Sequence, residues 1–332
     1  MRYLPKISIV MLTFNGANIL ERAVCSIRKQ IYPRRLVETI IVDNGSVDNS
    51  VEISKRYSKN VSINKKQVYH VRAEAMRKAK GEFVYMILEQ DMEFKSDNFL
   101  KKMVTPLIVN KSLVASFTRE YPNKKQQWVT RFISHDPIQR DPLFEFLTPS
   151  IESTIKKRYR DYDLCVFSKK KLPPVTHMLF RVEYLKKAGV WEQEKDYDLD
   201  TVIKLIDAGY NKFAYVKDAG DFHYHANNLK QLVHKRIRNL NNHFFPELNT
   251  LKYTWIDVSK KIDILKLIFW IVYANLLVPA TIRGIVRAIK NRDIVLLAEP
   301  LITVCTTDAI IFRFMTDRKG RALIGRWVKS LF

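Results

Sequence analysis

Short apolar runs alternate with amphipathic stretches over the first 110 residues. The runs are rich in β-branched and aromatic residues, which is typical of strands buried on both faces of a parallel sheet. Amphipathic stretches at 18–30 and 73–80 predict helices, and Gly81 is a candidate C-cap of the second. The alternation predicts an α/β fold with a doubly wound, mostly parallel sheet. Its strands are predicted at residues 7–12, 39–42 and 83–88.

Polar residues follow each of these predicted strands directly. In a doubly wound sheet the ligand lies beyond the carboxyl ends of the strands, so these side chains are expected to converge on one crevice. They are Thr13 and Asn15 after the first strand, Asp43 and Ser46 after the second, and Glu89 and Asp91 after the third.

The pattern weakens after residue 120. Residues 120–175 are rich in Lys, Arg, Pro and aromatics, and they predict a long loop region with short helices, which is usually functional at this length. Periodicity returns with a strand at 213–216, and Gly209 is a candidate C-cap of the helix before it. Further helices are predicted at 182–185, 198–208 and 229–240.

Two apolar stretches distinguish the C-terminal third. Residues 267–282 carry no formal charge, whereas residues 294–315 carry Glu299, Asp308 and Arg313. A membrane-spanning helix needs about 20 apolar residues, so three arrangements stay open. We favour helices in the plane of a membrane or re-entrant, over a spanning hairpin or a soluble cap or dimer interface.

Basic residues lie beside both apolar stretches. This arrangement favours contact with an anionic cytoplasmic leaflet. The residues are Arg283, Arg287, Lys290 and Arg292 between the stretches, and Arg318, Lys319, Arg321 and Arg326 after them.

The overall charge supports an anionic partner. There are 57 Lys and Arg against 34 Asp and Glu, a net charge of +23, which favours nucleic acid, an anionic membrane or a phosphorylated substrate over a plain solvated surface. Because the charge is spread along the chain without a nucleic-acid-binding motif, we expect no nucleic acid partner. The three cysteines form no CxxC, and the N-terminus lacks an apolar signal region, so we expect a reducing, cytoplasmic setting.

Three segments together resemble the inverting family 2 glycosyltransferases. They are ISIVMLTFNGANILERAVCSIRKQ, TIIVDNGSVDNS, and the strand that ends in Glu89-Gln90-Asp91. The resemblance is close over 6–110 and looser over 175–245. It implies the glycosyltransferase A fold with a Rossmann-like sheet, and a catalytic domain at 1–245, divided into a donor half at 1–110 and an acceptor half at 111–245. Residues 246–332 would then be a helical membrane-associated region.

The resemblance implies a nucleoside-diphosphate-sugar donor and a Mg²⁺ or Mn²⁺ ion. A cation held by carboxylates neutralises the departing diphosphate. Glu89 and Asp91 are its expected ligands, although the family usually has Asp at the first position. Similarity of residues 89–93 to dolichyl-phosphate mannose synthases adds Glu93. The segment His223-Tyr224-His225 adds His225 as a further ligand, with a structural role as the alternative.

Other donor-binding residues follow from the same resemblance. Asp43 stands where the family's acid accepts a hydrogen bond from the nucleobase, and Arg72 where an arginine reaches the phosphates, although Ala73 replaces the usual Asn. Ser46 and Asp48 are expected to cap the following helix. The nucleotide-sugar site is predicted to contain Thr13, Phe14, Asn15, Asp43, Arg72, Glu89, Gln90 and Asp91.

Inverting transfer needs a base that deprotonates the acceptor. In the family a Glu-Asp pair before a helix supplies it. Here Asp196 matches the second acid, while Lys195 replaces the first, and Glu194 and Asp198 are the competitors. The plain alternative is a helix N-terminus that favours acids. We therefore predict Asp196 and Asp198 as the catalytic residues.

The predicted helix at 229–240 carries Lys235, Arg236 and Arg238. These residues are expected to bind the diphosphate or a lipid phosphate, with a solvated basic face as the alternative. Two activities stay open: transfer to a lipid-linked or envelope saccharide, and transfer to a polyprenyl phosphate acceptor. Either reaction is expected at the cytoplasmic face of a membrane, with membrane lipids as partners and a dimer left open.

Overall fold

The computed structural model describes residues 3–196, 198–247, 255–257 and 260–331. They form two compact units. The first unit contains Met1–Tyr121 and Pro149–His223, and the second contains Pro122–Thr148 and Tyr224–Phe332. The division predicted at residue 245 is placed differently here, because 122–148 and the chain from Tyr224 group with the C-terminal helices. The functional division into donor and acceptor halves stays a prediction.

The strands belong to the first unit. They are β1 (Ile7–Thr13), β2 (Val37–Asp43), β3 (Asn60–Ile63), β4 (Phe83–Glu89), β5 (Met92–Phe94), β6 (Ala115–Phe117), β7 (Ile155–Arg158), β8 (Asp163–Val166), β9 (Met178–Arg181), β10 (Lys212–Tyr215) and β11 (Asp221–His223).

The helices belong to both units. They are α1 (Leu20–Arg28), α2 (Ser50–Tyr57), α3 (Val68–Arg77), α4 (Phe99–Val109), α5 (Trp128–Ile133), α6 (Pro142–Leu147), α7 (Val182–Lys187), α8 (Asp198–Asp207), α9 (Leu229–Asn239), α10 (Phe245–Glu247), α11 (Lys261–Leu276), α12 (Val278–Asn291), α13 (Glu299–Thr316) and α14 (Arg318–Leu331).

A nine-stranded sheet has the order β3-β2-β1-β4-β9-β6-β10-β8-β7. Its first four strands are parallel, as predicted, and residues of β1 and β4 such as Ile7, Met11 and Phe83 are fully or nearly fully buried. The other half is mixed, since β9 is antiparallel to both β4 and β6. β7 and β8 are antiparallel because a four-residue turn joins them. The sheet is therefore entirely parallel over its N-terminal half and mixed beyond it, where β6 and β10 form a further parallel pair.

The loop region predicted at 120–175 contains the short helices α5 and α6, but also β7 and β8, which the sequence did not predict. The helix predicted at 73–80 begins at Val68 and ends at Arg77, so Gly81 is not its C-cap. A Cβ on Gly81 would lie 2.6 Å from the backbone nitrogen of Ser8, so Gly81 permits a close approach of two backbones. Gly209 follows α8 with φ +86°, as predicted.

The described residues of the second unit form helices and the turns between them. The apolar stretch predicted at 267–282 is interrupted at Leu277, where α11 and α12 meet at 76°. Residues 294–316 are long and apolar enough to cross a membrane by length and composition, and the bent pair would add a second such segment. About a third of the 294–316 segment is buried within the protein.

Charged groups lie inside the second unit. Glu299 is completely buried and forms ion pairs with Arg283 and Arg287 of α12, and Arg283 also contacts Glu145 at 2.6 Å. Arg283 and Arg287 were expected to contact an anionic leaflet; both guanidinium groups pair with the buried carboxylate of Glu299, and their contact with a leaflet stays a prediction. Gly284 permits the ion pairs with Glu299, since a Cβ there would lie 2.9 Å from Cβ of Glu299.

Apolar side chains cover the outside of the same helices. Ile285 and Ile289 of α12 are 44% and 74% exposed. We call the set of exposed apolar side chains on 261–316 the apolar face. It contains Ile262, Leu265, Ile268, Phe269, Ile271, Val272, Leu276, Leu277, Val278, Ile282, Ile285, Val286, Ile289, Ile294, Leu297, Leu301, Phe312 and Met315.

Candidate active site

The loop after β1 is tied to the loop after β4 by one side chain. Gln90 accepts hydrogen bonds from Thr13 Oγ1 at 2.7 Å and from the backbone nitrogen of Phe14 at 2.9 Å, and its amide donates to the Phe14 carbonyl. Gly16 leaves room for it, since a Cβ there would lie 2.1 Å from Gln90 Oε1. Three residues predicted for the donor site are thereby brought together, and the Phe14 ring stays exposed.

The loop after β2 is fixed by Asp43. Its carboxylate is completely buried and accepts hydrogen bonds from the backbone nitrogens of Gly45 and Ser46 and from Ser46 Oγ, at 2.6–2.9 Å. Asn15, with φ +46°, links this loop to the first one by donating its backbone N–H to Ser46 Oγ. In this structure Asp43 organises the loop, and its contact with a nucleobase stays a prediction.

Of the two residues predicted to cap α2, Asp48 contacts the start of the helix, and Ser46 has a different role. Asp48 accepts hydrogen bonds from the backbone nitrogen and hydroxyl of Ser50, the first residue of α2, and these bonds lower the pKa of the Asp48 carboxyl. Ser46 instead bonds to Asp43 and Asn15, as described above. Asp48 therefore holds the start of α2, and Ser46 joins the two loops.

The acidic pair after β4 meets a histidine from far along the chain. β5, which begins directly after Asp91, pairs antiparallel with β11, and His223 lies opposite Met92. His223 Nε2 is 3.5 Å from Asp91 Oδ1 and 3.8 Å from Glu89 Oε2. One ligand atom from each of these three residues lies within 4.8 Å of the others.

This donor set fits a hard divalent cation. Carboxylate oxygens suit Mg²⁺ and Mn²⁺, and an imidazole nitrogen is a common partner for the latter. Burial alone lowers the pKa of His223, but the carboxylates of Asp91 and Glu120 outweigh it and raise that pKa well above its usual range. The electrostatic field at His223 thus attracts positive charge, whether a proton or a metal ion.

The histidine in this group is His223, whereas His225 was predicted. His225 lies in the second unit, where its carbonyl accepts a hydrogen bond from the Lys235 ammonium. Glu93 lies opposite Phe222 in the β5–β11 pairing. Neither His225 nor Glu93 belongs to a potential metal-binding group among residues 3–196, 198–247, 255–257 and 260–331. A metal role for these two residues stays a prediction.

A second group shares His223. It consists of Glu120, His177 and His223, again with ligand atoms within 4.8 Å. Glu120 is 7% exposed, and its Oε2 lies 3.6 Å from His223 Nδ1. His177, with φ +43°, hydrogen-bonds through Nδ1 to the carbonyl of Ile87 on β4. Neither Glu120 nor His177 was predicted from the sequence, because neither directly follows one of the predicted strands.

Two predicted site residues form a buried ion pair. Asp196 is completely buried, accepts a hydrogen bond from Thr201 Oγ1 at 2.8 Å, and has Arg72 Nε 3.4 Å from its second carboxylate oxygen. Arg72 thus pairs with an acid here, and its contact with phosphates stays a prediction. Asp196 and His177 line the same small cavity, together with Val175.

Glu194 and Asp198 are the alternatives to Asp196 as the base. Glu194 is exposed, and its carbonyl bonds to His70 Nδ1. Asp198 begins α8, but its side chain lies outside the described residues. The choice of base between Asp196 and Asp198 stays a prediction.

Two of the three predicted phosphate-binding residues of α9 form hydrogen bonds within the protein. Arg236 Nε lies 2.6 Å from Oδ2 of Asp141, which caps α6 through a hydrogen bond from the backbone nitrogen of Phe144. Lys235 donates to a carbonyl as described, whereas Arg238 is exposed. The alternative of a uniformly solvated basic face is therefore wrong for Arg236. Phosphate binding by these three residues stays a prediction.

Comparison with known proteins gives short sequence matches and long structural matches. The chain is 33% identical to an uncharacterized glycosyltransferase of Mycoplasma pneumoniae (MG060 homolog) over 64 residues, 19% of this chain and 21% of that one. It is 33% identical to the glycosyltransferase AglE of Haloferax volcanii over 55 residues, 17% and 18% of the two chains. The matches thus span about a fifth of each relative's length.

The structural similarity covers the whole chain. The mannosyltransferase PcManGT from Pyrobaculum calidifontis, solved with GDP-Man and Mn²⁺, aligns with 100% of this chain and 82% of its own at a TM-score of 0.52 and 16% identity. That likeness confirms the expected glycosyltransferase A fold. The family model described as glycosyl transferase family 2 matches residues 8–188, more than half of the chain. The chain therefore belongs to glycosyl transferase family 2.

Proposed function

We propose that the protein is an inverting, metal-dependent glycosyltransferase. It transfers a sugar from a nucleoside diphosphate sugar to a lipid-linked or envelope saccharide at the cytoplasmic face of a membrane. The observation that carries the proposal is the group of Glu89, Asp91 and His223 at the carboxyl end of β4, in a family 2 fold. The GDP-Man and Mn²⁺ in the Pyrobaculum structure support the same classes of donor and metal.

Different residues of this chain would bind the metal ion and the nucleoside. Glu89, Asp91 and His223 would hold Mg²⁺ or Mn²⁺, which neutralises charge on the departing diphosphate. Gln90 keeps the loop after β1 in place, so that Thr13, Phe14 and Asn15 present a fixed edge to the nucleoside. A preorganised loop binds its ligand without the entropic cost of ordering.

The acceptor base is proposed within the acidic segment at 194–198. Asp196 is the first candidate, but a base must come within hydrogen-bond distance of the acceptor hydroxyl. Because Asp196 is buried against Arg72 and Thr201, it would have to exchange those partners on substrate binding. Asp198 at the start of α8 is the second candidate.

The burial of Asp196 also favours a second candidate function, transfer to a polyprenyl phosphate. That acceptor is already anionic and needs no strong base. The two functions give different outcomes for Asp196→Asn and Asp198→Asn. If either variant loses transfer by about 10²–10⁴-fold, the saccharide acceptor is supported, since general-base catalysis contributes that much. If both retain activity, the phosphate acceptor is supported.

The apolar face of the second unit supports membrane association. Soluble monomers rarely expose a large contiguous apolar surface, and here the exposed residues lie on three consecutive helices. Lys266, Lys290 and Asp308 are exposed. The carboxylate of Glu299, by contrast, is buried and pairs with Arg283 and Arg287 within the protein. Such an arrangement suits a lipid environment, in which polar groups find partners only within the protein. We propose that α11, α12 and the 294–316 segment lie on or in the membrane.

Product analysis tests the proposed activity. The full chain, purified in detergent with Mn²⁺, is incubated with a panel of nucleotide sugars and a membrane lipid extract, and products are identified by mass spectrometry. We expect a glycosylated lipid-linked product from one donor, with Asp91→Ala as the inactive control. The proposal would be contradicted if none of the nucleotide sugars in the panel released its nucleoside diphosphate.

Vesicle sedimentation tests the membrane assignment. The double variant Ile285→Glu/Ile289→Glu places two charges on the apolar face without filling the interior, and should lose binding to anionic vesicles. Val109→Glu is the matched control, since Val109 is 72% exposed in the first unit, and it should bind as the wild type does. Equal binding by both variants would show that the apolar face does not contact lipid.

A further inference from the structure

A buried carboxylate lies directly behind the histidine of the proposed metal group. His223 turns Nε2 toward Asp91 and Glu89, at 3.5 and 3.8 Å, and turns Nδ1 toward Glu120 Oε2, at 3.6 Å. Glu120 is largely buried, since only 7% of its surface is exposed. The two ring nitrogens thus face carboxylates on opposite sides, one side at the sheet edge and the other in the interior.

The backbone fixes the distance between Glu120 and His223. Glu120 forms a parallel bridge with Asp221 of β11, in which the backbone nitrogen of Tyr121 donates to the Asp221 carbonyl at 3.0 Å. On its other edge β11 pairs with β5, which follows Asp91. The strand that carries His223 is therefore held between the segment that carries Glu120 and the segment that follows the acidic pair.

We propose that Glu120 is a positioning residue, which accepts the Nδ1 hydrogen of His223 and so directs the lone pair of Nε2 toward the metal ion. The inference rests on the proposed function, because it requires a cation between Glu89, Asp91 and His223. A neutral imidazole carries one proton, and a ring that gives Nε2 to a metal keeps that proton on Nδ1. A carboxylate on Nδ1–H fixes the tautomer and makes Nε2 a stronger ligand.

His177 completes the surroundings of the ring. Its own ring stands perpendicular to that of His223, with centroids 5.7 Å apart, and is held by the hydrogen bond from Nδ1 to Ile87. This contact limits rotation of the His223 ring. A second cation between Glu120, His177 and His223 is the competing arrangement, but it would need Nδ1 of His223 to lose its proton while Nε2 binds the first ion.

Metal titration of the full chain in detergent tests the proposal. Binding of Mn²⁺ alone is followed by loss of the free-ion electron paramagnetic resonance signal. Loss of an outer carboxylate typically weakens metal binding about 10–100-fold, and we expect that loss for Glu120→Ala. Glu120→Gln keeps an acceptor oxygen but not the charge, and should lose less.

Glu38→Gln is the matched control. Glu38 is also a largely buried glutamate of the first unit, with a side chain that is 11% exposed and accepts hydrogen bonds from Ser8 and Lys80. Its substitution should leave Mn²⁺ affinity unchanged. Thermal unfolding of each variant separates loss of the fold from loss of the site.

A second readout reports the tautomer. In ¹⁵N-histidine-labelled protein without added metal, at a pH at which the ring is neutral, His223, assigned with His223→Asn, should show a protonated Nδ1, and Glu120→Ala should lose this preference. Wild-type affinity in folded Glu120→Ala would overturn the inference and leave the proposed function intact. Two Mn²⁺ ions in the wild type and one in Glu120→Ala would also overturn it, in favour of the second cation. If the wild type binds no Mn²⁺, the proposed function itself fails.

Discussion

The end of β4 in the first unit and the α12–α13 contact in the second unit place charge in opposite ways. In the first unit, residues such as Ile9, Tyr85 and Phe99 fill the interior, and the acids Glu89 and Asp91 are placed at the end of a strand. In the second unit, Glu299 is completely buried between arginines, while Ile289 is 74% exposed. The first pattern is that of a protein in water, where apolar burial stabilises the fold.

This difference indicates whether a charged residue contributes mainly to ligand binding or mainly to the stability of the fold. An acid at a strand end adds little to the fold and is available to a ligand. A buried ion pair has already lost its water, so each partner depends on the other. The same residue types should therefore give opposite results on substitution, with activity affected in the first unit and stability in the second.

The largest effect is expected for Asp91→Ala. If Asp91 binds the cation as proposed, its loss removes several kcal/mol of transition-state stabilisation, which corresponds to a loss of transfer of about 10³-fold or more. The variant should unfold at the wild-type temperature, because Asp91 contributes chiefly to the site. Radiolabelled sugar transfer measures the activity, and EDTA should reproduce the loss in the wild type. Full activity in EDTA would remove the metal from the mechanism.

Glu299→Ala should show the reverse. It leaves Arg283 and Arg287 without their buried carboxylate, and breaking a buried ion pair in this way costs about 3–5 kcal/mol. Denaturant unfolding measures the change. Glu183→Ala is the control, since Glu183 forms an exposed ion pair with Lys187 on α7 and should change stability little. If Glu299→Ala and Glu183→Ala had the same free energy of unfolding, burial of an ion pair would not determine how much it contributes to stability.

Asp43→Asn is an intermediate case, a buried acid in the first unit. An amide cannot accept all of the hydrogen bonds that now come from Gly45 and Ser46. We expect nucleoside diphosphate to bind about 1–3 kcal/mol more weakly, the cost of leaving such donors unsatisfied. Isothermal calorimetry checks this, and unchanged affinity would contradict it. Ser46→Ala, which removes one hydroxyl, is the milder comparison.

The smallest effect is expected for Thr13→Val. It removes one hydrogen bond to Gln90 and keeps the shape of the side chain. A single bond of this kind contributes about 0.5–1.5 kcal/mol, so the KM for the donor should rise by up to about tenfold. Steady-state kinetics measures it. A fall in kcat with unchanged KM would instead place Thr13 near the reacting atoms.

The sequence predicted what is local. The strands β1, β2 and β4 and the polar residues after them follow from apolar runs and their ends, and Gln90 was predicted for the donor site. β7 was missed because its sequence Ile-Lys-Lys-Arg carries three charges and little apolar pattern. An edge strand of this kind is held by backbone pairing rather than by burial.

The rest depends on contacts between distant segments. His223 reaches Asp91 only through the pairing of β5 with β11, and Glu120 reaches His223 only through its bridge to Asp221. Nothing near Glu120 in the sequence indicates either contact. The pairing of Arg283 and Arg287 with Glu299 was not predicted, because basic residues beside apolar helices were assigned to contact with an anionic leaflet.

The β5–β11 pairing also affects the order of events during synthesis. Asp91 and His223 are about 130 residues apart, and a ribosome that adds 5–20 residues per second needs on the order of ten seconds between them. The parallel half of the sheet and both acidic residues are therefore synthesised well before the histidine. A nascent chain at that stage presents an open edge at Met92–Phe94, with carboxylates and no imidazole. Binding of the proposed metal ion should therefore follow closure of this edge, as a late step of maturation.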